Sequence, residues 1–297
     1  MIFMKKILLW LTMLCMLALC LSCNRNANLP GTESIITPTV EQVAEPTPTA
    51  EPTVAPVNTR AVRIGVIDSG LSSYVINPDN IELGRNLIFP EQDTEDRIGH
   101  GTACAAFIVG SEPARIEGNC PEALLVPLVY ADVFIGEDGE QVIGGTDLLA
   151  EAIYDAVDAY DCDIVLISSG TTKDDSPVHD AVSYAYEHGV IVVACAGNSG
   201  NTDPEAVFYP GAYPEVVCVG SLDSDGGKAV FSQDNEYVDV WEIGTDLRLA
   251  TLKGTRIRGS GTSYSAAIAA GRIASYICKN PDMTVAEVLH GVYPDRY

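Results

Sequence analysis

From residue 60 onward the chain alternates short apolar runs with segments whose apolar residues recur every three or four positions, and this alternation restricts the possible folds more than any other feature. The runs 62–67, 123–129, 164–167, 190–194 and 216–219 are short, rich in Val, Ile and Leu, and therefore read as strands. The run 123–129 precedes what reads as a long polar loop. Leu149, Ala152, Ile153, Ala156, Val157 and Tyr160 then share one helical face, with Thr146 as the expected N-cap. Val178, Ala181, Val182, Ala185 and Tyr186 mark a second helix, closed by Gly189. The stretch 266–277 reads as a buried helix of small residues, and Thr284-Val285-Ala286-Glu287 as a capping box that opens a last one. Fully apolar strands alternating with helices imply an α/β fold, a three-layer parallel sheet with helices on both faces. Sites in such sheets form beyond the carboxyl ends of strands. Asp68 and Ser168 both fall just after apolar runs.

The first 59 residues have a different character. Lys5 and Lys6 precede an apolar stretch over 7–21, too short for a membrane span but suited to a secretory leader covering 1–23. Its end, Cys20-Leu21-Ser22-Cys23, resembles a lipobox, so Cys23 is expected to carry a lipid that anchors the chain to a membrane. Ordinary cleavage with secretion and an uncleaved anchor are the alternatives, and all three put the bulk of the chain outside the cytoplasm. Residues 24–59 are dominated by Pro, Thr and Glu, as in Glu45-Pro46-Thr47-Pro48-Thr49. Repeated proline favours extended chain with little to bury, so a disordered tether is expected there and one folded domain over 60–297.

Hydrophobic residues make up 47% of the 297 and charged residues 20%, which allows a large core and excludes wholesale disorder. The formal net charge of −24 excludes a nucleic-acid partner, since phosphate backbones call for clustered Lys and Arg, and reads as a device for solubility. Of nine cysteines, Cys15, Cys20 and Cys23 belong to the leader. The others show no C-x-x-C pairing, so no zinc site is expected, and Cys195 and Cys218 read as buried free thiols.

Three short glycine-flanked motifs carry the chemistry: Asp68-Ser69-Gly70, Gly99-His100-Gly101-Thr102 and Gly261-Thr262-Ser263. Each alone is ordinary turn material. Together they supply a carboxylate to orient an imidazole, an imidazole to take a proton, and a hydroxyl to attack a carbonyl. Of the other histidines, His188 sits at a helix C-terminus, and His179 and His290 have no setting suited to a base. Ser260 and Ser265 compete with Ser263 for the nucleophile. Ser263 lies at the start of the Ala-rich helix, where its own N–H would face a developing oxyanion. Asn198, in Ala196-Gly197-Asn198-Ser199-Gly200, offers a second donor, or else simply supports a turn. Residues 261–265 nearly match the G-x-S-x-G elbow of α/β-hydrolases, but only His290 follows the serine, and that fold needs its acid and then its histidine there.

These segments resemble the subtilisin-like (S8) serine peptidases from about residue 62 to the C-terminus. The likeness implies an exported endopeptidase that cleaves polypeptides through Asp68, His100 and Ser263 and an acyl-enzyme, with Asn198 in the oxyanion site. It also implies that the backbone of Ser168-Ser169-Gly170 pairs with bound peptide, and Tyr209-Pro210-Gly211 and Tyr213-Pro214 match the segment that follows the asparagine. Cys104 is similar to the cysteine that proteinase K-like members carry beneath the histidine. No cofactor is required, and the structural calcium common in the family has no legible signature. Two departures stand out. Tyr264-Ser265-Ala266-Ala267 replaces the usual Met-Ala-Ser-Pro, and no room for a folded propeptide lies between Cys23 and Arg60. A catalytically silent subtilisin-like surface binding module is the alternative. Large apolar P1 residues are the family default, whereas Asp93, Glu95 and Asp96 before His100, and Asp174 and Asp175 after Gly170, raise a basic alternative.

Overall fold

In chain order the strands are β1 (Arg63–Asp68), β2 (Arg85–Asn86), β3 (Leu124–Val129), β4 (Ala131–Gly136), β5 (Gly139–Gly144), β6 (Ile164–Ile167), β7 (Ile191–Cys195), β8 (Val216–Leu222), β9 (Val240–Ile243), β10 (Leu247–Ala250) and β11 (Arg256–Gly259). The helices are α1 (His100–Val109), α2 (Thr146–Asp158), α3 (Ser176–Glu187), α4 (Thr262–Lys279) and α5 (Val285–Val292). They come from a computed structural model that describes residues 61–136 and 139–297, with backbone alone over 133–136 and 139–142. The expected leader, Cys23 and the tether lie outside the described residues.

Seven strands form one sheet in the order β2-β3-β1-β6-β7-β8-β9, and every neighbouring pair is parallel. The expected three-layer α/β architecture is present. Ile64, Val66, Leu125, Ile164, Leu166, Val193 and Val219 point to one face and share a core with α1, α4 and α5. Helices α2 and α3 pack on each other, α2 against β1 and β3 and α3 against β7. Ile64, Ile67, Ile164, Leu166 and Ile167 are fully buried, and each such side chain contributes about 1.5–3 kcal/mol on leaving water. Among the described residues no helix is long and apolar enough to cross a membrane.

The winding direction reverses at β1. The chain passes through α1 to β3 on one side of β1, then through α2 to β6 on the other. Such a reversal opens a crevice at the carboxyl ends of the two central strands. Ile67 of β1 pairs with Ile167 of β6, so Asp68 and Ser168 stand side by side at its mouth.

Several sequence expectations need correction. The polar loop after β3 is in fact the antiparallel hairpin β4–β5. Thr146 is the first residue of α2, with Gly145 at the N-cap, and its hydroxyl instead donates to Asp175 at 3.1 Å. Helix α4 begins at Thr262, which places Ser263 inside its first turn. The α5 capping box forms as read, with Thr284 and Glu287 bonding each other's backbone.

Candidate active site

Asp68 ends β1 with only 6% of its surface exposed, and His100 is the first residue of α1. The His100 Nδ1 lies 2.9 Å from each Asp68 carboxylate oxygen. The Ser69 N–H also donates to Asp68 Oδ1 at 2.8 Å, which fixes the carboxylate's rotation. Gly101 makes the approach possible. A β-carbon there would lie 2.4 Å from the Gly70 carbonyl oxygen and 3.1 Å from Asp68 Cβ.

Helix α1 has no side-chain cap from its own N-cap residue, Gly99. Buried Asp96 does that work. Its Oδ1 accepts from the Ser69 hydroxyl (2.9 Å) and from the N–H groups of Ile98 (2.9 Å) and Gly99 (2.7 Å). Its Oδ2 accepts from the Thr102 N–H (2.9 Å) and hydroxyl (2.7 Å). Ser69 Oγ in turn accepts from the Gly101 N–H at 3.0 Å. Burial pulls the His100 pKa down, but the charge and hydrogen bond of Asp68, with the charge of Asp96, outweigh it and hold the ring above the ordinary histidine value.

The second half of the site is the N-terminus of α4. Ser263 is 8% exposed, and its hydroxyl donates to the Ser168 carbonyl at 2.9 Å rather than to His100. Cys104, one turn below His100, joins the two halves. Its Sγ lies within 4.8 Å of ligand atoms of both Asp68 and His100, and 4.0 Å from the Ser263 carbonyl. Burial, and then the Asp68 charge, push the Cys104 thiol well above its ordinary pKa, so it packs as a neutral group. Asn198 is held by its amide oxygen, which accepts from both the N–H and the hydroxyl of Thr262 at 2.9 Å. Its Nδ2 makes no hydrogen bond to a described residue, and it lies 3.8 Å from where a β-carbon of Gly261 would stand.

Ser168, Ser169 and Gly170 continue from β6 along the crevice. The Ser169 hydroxyl bonds the Tyr130 hydroxyl, and Thr171 and Tyr209 exchange two backbone hydrogen bonds of 2.9 and 2.8 Å. The competing serines are engaged elsewhere. Ser265 is fully buried, bonding Ser221 and the Glu242 carbonyl, and Ser260 accepts from the Asp246 N–H. His179 stacks on Tyr213, while the rings of His188 and His290 bond backbone carbonyls. The acids that suggested a basic specificity all have partners. Asp93 pairs with Arg97, Glu95 takes the Ser73 hydroxyl, Asp96 caps α1, Asp174 takes the Tyr213 hydroxyl, and Asp175 pairs with Lys173. The sequence offers Asp96 only as one of the acids behind a basic alternative and leaves its capping role unread, although an Asp three residues before Gly99-His100 is a local helix-start signal. It also leaves unread Thr262, whose tie to Asn198 spans 64 residues.

The model of the Peptidase_S8 subtilase family matches residues 59–292, a span that contains every site residue above. The minor extracellular protease Epr of Bacillus subtilis (strain 168) is 34% identical over 226 residues, which cover 75% of this chain and 33% of that one. Subtilisin BL of Lederbergia lenta is 29% identical over 229 residues, 76% of this chain and 80% of that one. The chain thus spans about a third of the first relative and most of the second. Among solved structures, the S41 psychrophilic protease superposes with a TM-score of 0.66 at 27% identity, covering 77% of this chain and 80% of that one.

Proposed function

Because the chain belongs to the subtilase family, we propose that it is a serine endopeptidase acting on polypeptides through Asp68, His100 and Ser263. The observation that carries this reading is the two-point Asp68–His100 contact at 2.9 Å. It commits the Nδ1 proton to the carboxylate and leaves Nε2 as the base. In the working cycle the Ser263 hydroxyl turns from the Ser168 carbonyl to Nε2, gives up its proton and attacks the substrate carbonyl. The oxyanion then forms beside the Asn198 Nδ2 and the Ser263 N–H, at the positive end of α4. His100 returns the proton to the leaving amine, and water releases the acyl group by the same route. Nucleophile, base and oxyanion donors all belong to the chain, so the reaction needs no cofactor. A peptide laid along Ser168-Ser169-Gly170 would bind by strand addition.

A fluorophosphonate probe is expected to label the wild type at Ser263 and to leave Ser263→Ala unlabelled, with casein cleavage lost in step. A folded wild type that neither reacts nor cleaves is instead the silent binding module. We also infer export, with lipidation of Cys23 and the segment 24–59 as a tether. The extracellular designation of the Bacillus subtilis relative supports export. Cys23→Ala should move the protein from the membrane fraction to the medium, and unchanged fractionation would refute the anchor.

A further inference from the structure

We propose that Phe208 fills the cavity that would receive the P1 side chain, so that this chain cleaves after glycine or alanine and rejects large apolar and basic P1 residues. The inference rests on the peptidase reading and narrows its substrate class.

The placement follows from the site's own geometry. A carbonyl attacked by Ser263 and held by Asn198 lies within about 3 Å of both groups. The P1 Cα is bonded to that carbon, and we place its side chain in the space between Gly197, which precedes Asn198, and Gly170, which ends the segment proposed to pair with peptide. Neither glycine has a side chain to wall that space. A phenyl ring from elsewhere in the chain occupies it. A β-carbon on Gly197 would stand 2.6 Å from Phe208 Cδ2, 2.8 Å from Cγ and 2.9 Å from Cε2. A β-carbon on Gly170 would stand 3.6 Å from Phe208 Cβ and 3.7 Å from Cδ1. The ring is therefore packed on the Gly197 backbone, and its stem borders the space that a side chain at position 170 would occupy.

Phe208 is also fixed in place. It is 8% exposed. The next residue, Tyr209, pairs with Thr171 through two backbone hydrogen bonds, and the Phe208 carbonyl accepts from the Ala212 N–H at 2.9 Å. Gly197 has φ of +107°, so the wall facing the ring is built on a residue whose backbone disfavours any side chain. A substrate phenyl or isobutyl group would have to displace a ring held on both sides, whereas a hydrogen or a methyl would not. Of the acids that raised a basic alternative, Asp93 and Asp175 pair with Arg97 and Lys173 and Asp96 is committed to α1, while the Lys substrate in the test below probes Glu95 and Asp174.

The test uses the full chain and peptide p-nitroanilides that differ only at P1: Gly, Ala, Leu, Phe and Lys. Ser263 is titrated with the fluorophosphonate probe in each preparation, so that rates are per reactive site. The wild type is expected to show kcat/KM for Ala about 100-fold above Phe, Leu and Lys, the scale on which shape discriminates in an apolar pocket. Phe208→Ala is expected to shift the Phe-to-Ala ratio by a similar factor toward Phe, and Phe208→Leu by less. A wild type that prefers Phe, Leu or Lys overturns the proposal. So does an unmoved ratio in a labelled Phe208→Ala protein, or a labelled wild type that cleaves none of the five. Absence of both labelling and cleavage overturns the peptidase reading itself. If Phe208→Ala fails to fold, the wild-type series and Phe208→Leu still decide.

Discussion

The N-termini of α1 and α4 face the same chemical problem, and one meets it with an anionic partner and the other with a neutral one. Each helix has a glycine at its N-cap with no side-chain hydrogen bond, each lacks an acid in its first turn, and each carries a residue of the proposed triad there, His100 or Ser263. At α1 the N–H groups of Gly99 and Thr102 go to a buried carboxylate, Asp96, whose charge also helps keep the imidazole protonatable. At α4 the Thr262 N–H goes to a neutral amide oxygen, that of Asn198. The difference suits the two tasks. In the proposed mechanism a cation forms beside α1 and an anion beside α4, and an anionic cap at α4 would repel the species that the helix end is meant to receive.

Four substitutions at three positions probe this contrast. Asn198→Ala is expected to lower kcat by about 10²–10³ with KM little changed. Asn198→Asp should lose at least as much, although its carboxylate can still cap Thr262. Equal activity in the aspartate variant would erase the distinction between the two helix ends. Asp96→Asn comes next. As the proposed base, His100 works only when unprotonated, so kcat/KM should rise with pH through its pKa, and the wild-type acid limb should lie above the ordinary histidine value of about 6.5. Removing the Asp96 charge lowers that pKa and moves the limb to lower pH, while a lost cap costs about 1–3 kcal/mol of stability in denaturant titration. A stability loss with an unmoved pH profile would reduce Asp96 to a structural role. The smallest effect belongs to α5, whose cap is local and distant from the chemistry. Thr284→Ala should cost about 0.5–2 kcal/mol and leave kcat/KM unchanged.

The same three helix starts show what a sequence can disclose. Thr284 and Glu287 are three residues apart, and their mutual capping could be read without coordinates. The strands β1, β6, β7 and β8 were legible too, because a strand buried on both faces leaves an unbroken apolar run. Asp68, His100, Ser263 and Asn198 were visible as motifs, but their support was not. Whether Asp96 faces solvent, a substrate or a helix end depends on burial, which the residue's type does not reveal. The Asn198–Thr262 tie depends on two loops meeting across the sheet. The β4–β5 hairpin looked like loop because its strands are defined by pairing with each other. Nothing in the sequence marks Phe208, whose position beside Gly170 and Gly197 emerges only in three dimensions.

The Ile67–Ile167 register has a consequence for how the molecule fails when warmed. Because Asp68 and Ser168 cap adjacent rungs of one ladder, and α4 with Ser263 lies across β6 to β9, the proposed acid and nucleophile are both anchored to the central sheet. Inactivation on heating should therefore coincide with the cooperative melting of the whole domain. Activity that fades well below the calorimetric transition would show that the crevice can come apart first.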